Sequence, residues 1–191
     1  TGQLKGAEAL VRWVKADGSM IYPDEFIPLF EQNGFCTKLD LYMVECACRQ
    51  IRQWMDEGTE PVGISVNQSK LLFYENDYIT TLTNLIQKYD VPGNLITLEI
   101  LEGLAADHVD ELNHKISLLQ EQGFRISMDD FGSGYSSLNI LGNLHIDELK
   151  LDRGFLMEVS DGRDARARII MEQIVQLTRR LQISTVVEGV E

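Results

Sequence analysis

Six short apolar runs, each carrying an acid, an amide or a lysine at or near its end, alternate with stretches of helical periodicity. They occupy residues 6–12, 62–67, 95–101, 124–129, 146–151 and 183–187. Glu8, Asn67, Glu99, Asp129, Lys150 and Glu188 lie within or just after them, one to a run. Between the runs, Met43, Val44, Ala47, Cys48, Ile51, Trp54 and Met55 mark one apolar helix face, closed by Gly58. Val109, Leu112, Ile116 and Leu119 mark a second, closed by Gly123, and Ile170, Ile174, Leu177 and Leu181 a third. Pro92-Gly93 makes a turn before the third run. Strand alternating with helix at roughly the ~30-residue spacing of a βαβ unit predicts parallel strands. No Pro/Gly/Ser-rich linker or internal repeat divides the chain, so residues 1–191 read as a single α/β domain.

An open doubly wound sheet gathers its ligand groups at one switch point. A (β/α) barrel instead draws them from the C-terminal ends of many strands. The spread of polar residues over six separate runs favours the barrel. Six runs fall short of the usual eight strands, so the expectation is a TIM-like barrel incomplete at both ends.

The fourth run ends Met128-Asp129-Asp130 and passes into Phe131-Gly132-Ser133-Gly134-Tyr135. Two adjacent carboxylates repel, and a fold keeps such a pair where something cationic neutralises it. A helix-capping role would explain one of them, not both. The Gly132-Ser133-Gly134 segment lacks the Lys-Ser/Thr of a phosphate-binding P-loop and reads as a mobile loop. Lys150 alone could be a snorkelling surface lysine; its place among the other run-end groups gives it a role in the site. His108, His114 and His145 form no zinc-type grouping with the cysteines, and Trp13 and Trp54 read as core, Trp13 at the border of the site.

Net charge is −13, and no Lys/Arg run forms a basic stripe. That argues against binding of duplex or single-stranded nucleic acid. A phosphate-bearing substrate would have to be brought in by bound cations. Cys36, Cys46 and Cys48 make no paired disulfide framework, which points to a reducing compartment. No signal peptide or membrane-spanning stretch is visible, and the chain reads as cytoplasmic.

The run-end residues belong to longer motifs: Glu8-Ala9-Leu10 within Gly6-Ala7-Glu8-Ala9-Leu10-Val11-Arg12-Trp13, then Ser65-Val66-Asn67-Gln68-Ser69, and Leu98-Glu99-Ile100-Leu101-Glu102. Asp129-Asp130-Phe131-Gly132, Leu149-Lys150-Leu151-Asp152 and Glu188-Gly189-Val190-Glu191 follow. In this order they resemble the signature of the EAL family, the cyclic di-GMP phosphodiesterases of bacterial signalling. The resemblance implies a TIM-like barrel whose first strand runs antiparallel to the rest. It also implies two divalent metals and hydrolysis of cyclic di-GMP to linear pGpG.

By that analogy Glu8, Asn67, Glu99 and Asp129 hold one metal, and Asp129, Asp130 and Glu188 the other. Carboxylate and amide oxygens suit Mg²⁺ or Mn²⁺ better than zinc. Lys150 would position or activate the attacking water, with Glu188 beside it among the catalytic groups. Glu102 and Glu191 would support the site from behind, Glu102 by holding the 129–134 loop. Leu10 and Arg12 resemble contacts to guanine and phosphate. The family's opening strand with its Gln-Pro contact, and the segment after Glu191 that carries a glutamine, are expected outside this sequence. Leu101 stands where Thr is usual, Gly103 where Ser is frequent, and Ser133 where Thr is commoner. Further signalling domains and a homodimer are expected partners. The rival readings are a receptor that binds cyclic di-GMP without cutting it, which Leu101 would favour, and a docking domain that binds no nucleotide.

Overall fold

The computed structural model describes residues 2–106, 109–131, 138–151 and 165–188. The chain divides into two compact units, Thr1–Leu98 with Gln122–Phe124, and Glu99–Glu121 with Arg125–Glu191.

In the first unit, strand β1 (Gly6–Ala9) lies parallel to β4 (Gly63–Gln68), with Glu8 opposite Ser65. The start of β5 (Ile96–Leu101) follows next in the sheet. Residue 10 already lies outside β1, so the strand is shorter than the apolar run suggests. Between β1 and β4 come a short antiparallel hairpin, β2 (Trp13–Val14) and β3 (Met20–Ile21), and helices α1 (Pro23–Asn33) and α2 (Cys36–Asp56). The run pattern did not contain this hairpin. Its turn is set by Asp17, whose Oδ1 accepts the Ser19 amide at 2.9 Å, and by Gly18 at φ +83°. Trp13 packs edge-on against Phe26 at 5.6 Å between ring centroids yet remains 43% exposed, so it is only partly core.

Helix α2 buries Cys36, Asp40, Val44, Ala47, Cys48 and Ile51 along one stripe at helical spacing. It packs against β4, α3 (Lys70–Phe73) and α4 (Tyr78–Tyr89). Burying residues such as Val44 and Ile51 contributes about 1.5–3 kcal/mol each. Burial pushes the Cys36 and Cys48 thiols up to about 11, with Asp40 and Glu45 respectively adding to it, so both act as small apolar side chains. Gly93 is required where it stands: a Cβ there would lie 2.6 Å from the Gln122 carbonyl oxygen.

In the second unit, the end of β5, then β6 (Arg125–Phe131), β7 (Glu148–Leu151) and β8 (Ser184–Val187) are neighbours in sequence order. The pairs β6–β7 and β7–β8 are parallel. Helices α5 (Val109–Glu121), α6 (Leu138–Asn143) and α7 (Ala165–Arg180) lie between the strands in sequence. Leu112, Ile116 and Leu119 of α5 are buried, as their spacing predicts. Only part of the face expected around α7 is covered: Ile174 is buried, while Ile170 is exposed, as is Leu181 just past the helix end.

Asp147 ties the strand starts together. Its Oδ2 accepts the Ile126 amide at 2.8 Å and the Gln120 side chain at 3.0 Å. Its backbone amide donates to the Ile126 carbonyl, and its carbonyl accepts the Ser184 amide. Among the described residues no helix is long and apolar enough to cross a membrane.

Candidate active site

Regular strand geometry sends consecutive side chains to opposite faces, so Asp129 and Asp130 should point apart. The backbone prevents this. Met128 pairs with Leu149 and Phe131 with Leu151, leaving both aspartates opposite the single residue Lys150. This is a β-bulge, and Asp130 within it adopts φ +56°. Aspartate is among the few non-glycine residues that enter this left-handed region readily. The Asp130 amide donates to Asp129 Oδ1 at 2.9 Å, which ties the bulge to its own carboxylate. Asp129, Asp130 and Glu188 consequently each offer an oxygen within 4.8 Å of the others.

Lys150 projects among these acids from the middle strand. Its Nζ lies 2.7 Å from Glu188 Oε1, 3.0 Å from Glu99 Oε1 and 3.3 Å from Asp129 Oδ1. The residue is 5% exposed, which rules out the snorkelling alternative. Burial by itself depresses the ammonium's pKa, but the hydrogen bond to Glu188 and the charges of Glu99 and Asp129 outweigh it. The net direction is upward, and Lys150 stays charged.

Among the described residues, Glu99, Asp129, Asp130 and Glu188 bring four carboxylates around the Lys150 ammonium. Carboxylates gathered this closely repel one another, and a bound cation would relieve that repulsion. The cluster's donors are all hard oxygens and fit a divalent cation of the Mg²⁺ or Mn²⁺ kind.

In the first unit, Asn67 Nδ2 donates to Glu8 Oε1 at 3.1 Å. That bond commits the amide nitrogen and makes Oδ1 the atom suited to a cation. Leu10 is 54% exposed, and the Arg12 guanidinium turns back to the Val11 carbonyl at 2.7 Å. Glu102 opens the 3₁₀ turn Glu102–Ala106 after β5, and Leu101 just before it is half exposed. Glu191, Asp152, His108 and the Gly132-Ser133-Gly134 loop lie outside the described residues. His114 and His145 are exposed.

Besides the hairpin, two features escaped the sequence reading. One is the bulge. The other is Asp40 on α2, a residue only 8% exposed. An acid in step with Cys36, Val44 and Ile51 along an apolar stripe is the signal that could have found it.

The EAL domain family profile matches residues 1–191. The bifunctional diguanylate cyclase/cyclic di-GMP phosphodiesterase MucR of Pseudomonas aeruginosa is 37% identical over 190 residues, covering 100% of this chain and 27% of MucR. The probable cyclic di-GMP phosphodiesterase PdeG of Escherichia coli is 33% identical over 190 residues, covering 100% of this chain and 37% of its own. The chain thus spans between about a quarter and two-fifths of the length of these curated relatives. The solved PaMucR phosphodiesterase, a c-di-GMP complex, superposes with a TM-score of 0.87 at 36% identity, over 96% of this chain and 74% of that one. The Xanthomonas citri FimX EAL domain, in complex with c-diGMP, gives a TM-score of 0.88 at 23% identity, over 98% and 73%. That second likeness bears on fold alone. Together the two superpositions identify the architecture as the α/β fold of EAL domains.

Proposed function

Since the chain belongs to the EAL domain family, we propose that it is a metal-dependent phosphodiesterase domain that opens cyclic di-GMP to linear pGpG in second-messenger signalling. The observation that carries this reading is the Lys150 ammonium held among Glu99, Asp129 and Glu188, with Asp130 brought alongside by the bulge. Asp129, Asp130, Glu188 and Glu99 are assigned as metal ligands, and so are Glu8 and Asn67. Two Mg²⁺ or Mn²⁺ ions, when bound, would polarise the attacking water and offset charge on the phosphate. Glu102 and Glu191 are assigned supporting roles, and Leu10 and Arg12 contacts to the nucleotide.

The chain's own part in the chemistry follows from its charges. Lys150 is fixed by three carboxylates and remains protonated, so it acts as a hydrogen-bond donor and positive charge rather than as a base. It is suited to orienting the water and to stabilising negative charge that grows on the phosphoryl oxygens. Glu188 orients Lys150 through the shortest of its ion pairs among the described residues. One P–O bond of the cyclic dinucleotide is broken, and water supplies the hydroxyl on phosphorus and the proton on the leaving oxygen. The domain acts in the cytoplasm as one module of a longer signalling protein, in this reading as a homodimer.

The test is incubation of the full-length protein with cyclic di-GMP and Mg²⁺ or Mn²⁺, followed by separation of the nucleotides. Linear pGpG is expected. Tight binding with no product would replace this reading by that of a receptor, and no binding would replace it by that of a docking domain.

A further inference from the structure

Asp40 of α2, in the first unit, is a buried acid, 8% exposed as a whole residue. Its Oδ2 accepts the backbone amide of Ser69 at 2.8 Å, across from α2 to the end of β4. Ser69 is two residues beyond Asn67. A second set of bonds holds the segment: Gln68 Nε2 donates to the Asn67 carbonyl at 2.8 Å, and Gln68 Oε1 accepts the Tyr78 hydroxyl at 3.1 Å. Gln68 and Tyr78 are buried, while the Asn67 side chain is exposed beside Glu8. Ser69 Oγ in turn accepts the Leu72 amide and starts α3.

We infer that Asp40 is a positioning residue for the Asn67–Glu8 pair. Its carboxylate clamps the backbone that carries Asn67, so that the amide oxygen is presented to a cation in one orientation. A buried carboxylate is a costly anchor on an apolar helix face, and a hydrophobic residue there would pack at least as well. Its hydrogen bond to one particular amide is what it supplies. Fixing ligands from behind governs metal affinity on the scale of ~10–100-fold. The inference rests on the assignment of Asn67 to metal ligation and deepens it.

The experiment is calorimetric Mn²⁺ binding to the full chain, without nucleotide, alongside thermal melting. Asp40→Ala should weaken Mn²⁺ binding by ~10-fold or more. Asp40→Asn keeps an acceptor oxygen and should restore most of the affinity. In an Asn67→Ala background, Asp40→Ala should cause no further loss of affinity, because the group it positions is gone. Should Asp40→Ala fail to fold, Asp40→Leu fills the same apolar stripe without an acceptor and carries the same expectation. A melting temperature that falls while Mn²⁺ affinity is unchanged would overturn the inference in favour of a purely structural role. Equal loss of affinity with and without Asn67 would overturn it too. Failure to cleave cyclic di-GMP with Mn²⁺ binding intact would count against the proposed activity and leave the role of Asp40 standing.

Discussion

Lys150 Nζ and Glu188 Oε1 stand 2.7 Å apart, one on β7 and the other just after its parallel neighbour β8. The two residues should fail in different ways. Lys150→Met keeps the stem and removes the charge, so turnover should fall by ~10²–10³-fold, the scale for one transition-state stabiliser. Mn²⁺ binding should be intact or tighter, since a like charge has gone, and added metal should not restore the rate. Glu188→Gln removes an anionic ligand, so raising Mn²⁺ should recover part of its activity by mass action. Activity titrated against Mn²⁺ for both variants decides it; equal rescue would refute these roles.

The bulge makes a prediction about stability. Asp130→Gly and Asp130→Val both delete the carboxylate and should lose metal binding alike. Only Val must be forced to φ +56°, so it should be less stable than Gly by about 1–3 kcal/mol. Denaturant unfolding of the metal-free variants measures the difference. Equal stabilities would mean that the backbone relaxes out of the bulge.

Cation binding should also stabilise the fold, because it relieves repulsion among the four carboxylates. One site at 100-fold above its dissociation constant contributes about 2.7 kcal/mol. At ~2–4 °C per kcal/mol that raises the melting temperature by roughly 5–11 °C. Chelator should reverse the shift. A melting curve unmoved by millimolar Mg²⁺ and Mn²⁺ would refute a metal centre here.

Burial holds the Asp40 carboxyl above its ordinary 3.8; the hydrogen bond from Ser69 lowers it in part, and the Glu31 charge adds to the rise. The Cys36 thiol and the buried Tyr78 hydroxyl are its other titratable neighbours. The folded state therefore keeps this proton to higher pH than the unfolded chain does. Stability drawn from that proton is lost as pH rises from 3.8 through the raised folded value. Asp40→Asn cannot titrate, so wild type should lose stability relative to it over this window. Parallel unfolding curves from acid to neutral pH test the sign.

Gly93→Ala should destabilise the first unit by about 1–3 kcal/mol, because its Cβ meets a backbone carbonyl that cannot swing aside. A melting temperature equal to wild type would show that the 92–95 turn shifts freely.

Much of this molecule was legible in the chain because its signals were local. β4, β5 and β6 are apolar runs of strand length, and α5 shows its buried stripe directly as Leu112, Ile116 and Leu119. The Lys150 cluster could be expected because parallel strands in register align their ends. The bulge could not, since it breaks the alternation on which strand reading depends. The hairpin strands are two residues long and half exposed, leaving Asp17-Gly18 as their only mark. Around α7, periodicity shows which residues share a face but not what covers it, hence the exposed Ile170 and Leu181.

Asp147 holds β6 and β8 in register from the ends of the strands opposite to Lys150 and Glu188. An acid at one end of these strands braces their geometry, and acids at the other form the site proposed to carry the chemistry. Mutational drift can therefore reach the two sets separately. On the proposed roles, a lineage that lost Asp130 or Lys150 would lose turnover while inheriting the scaffold, and so could be recruited to sense a nucleotide rather than destroy it. Loss of the Asp147 side chain would instead act on the scaffold, by removing the acceptor that the Ile126 amide and Gln120 share.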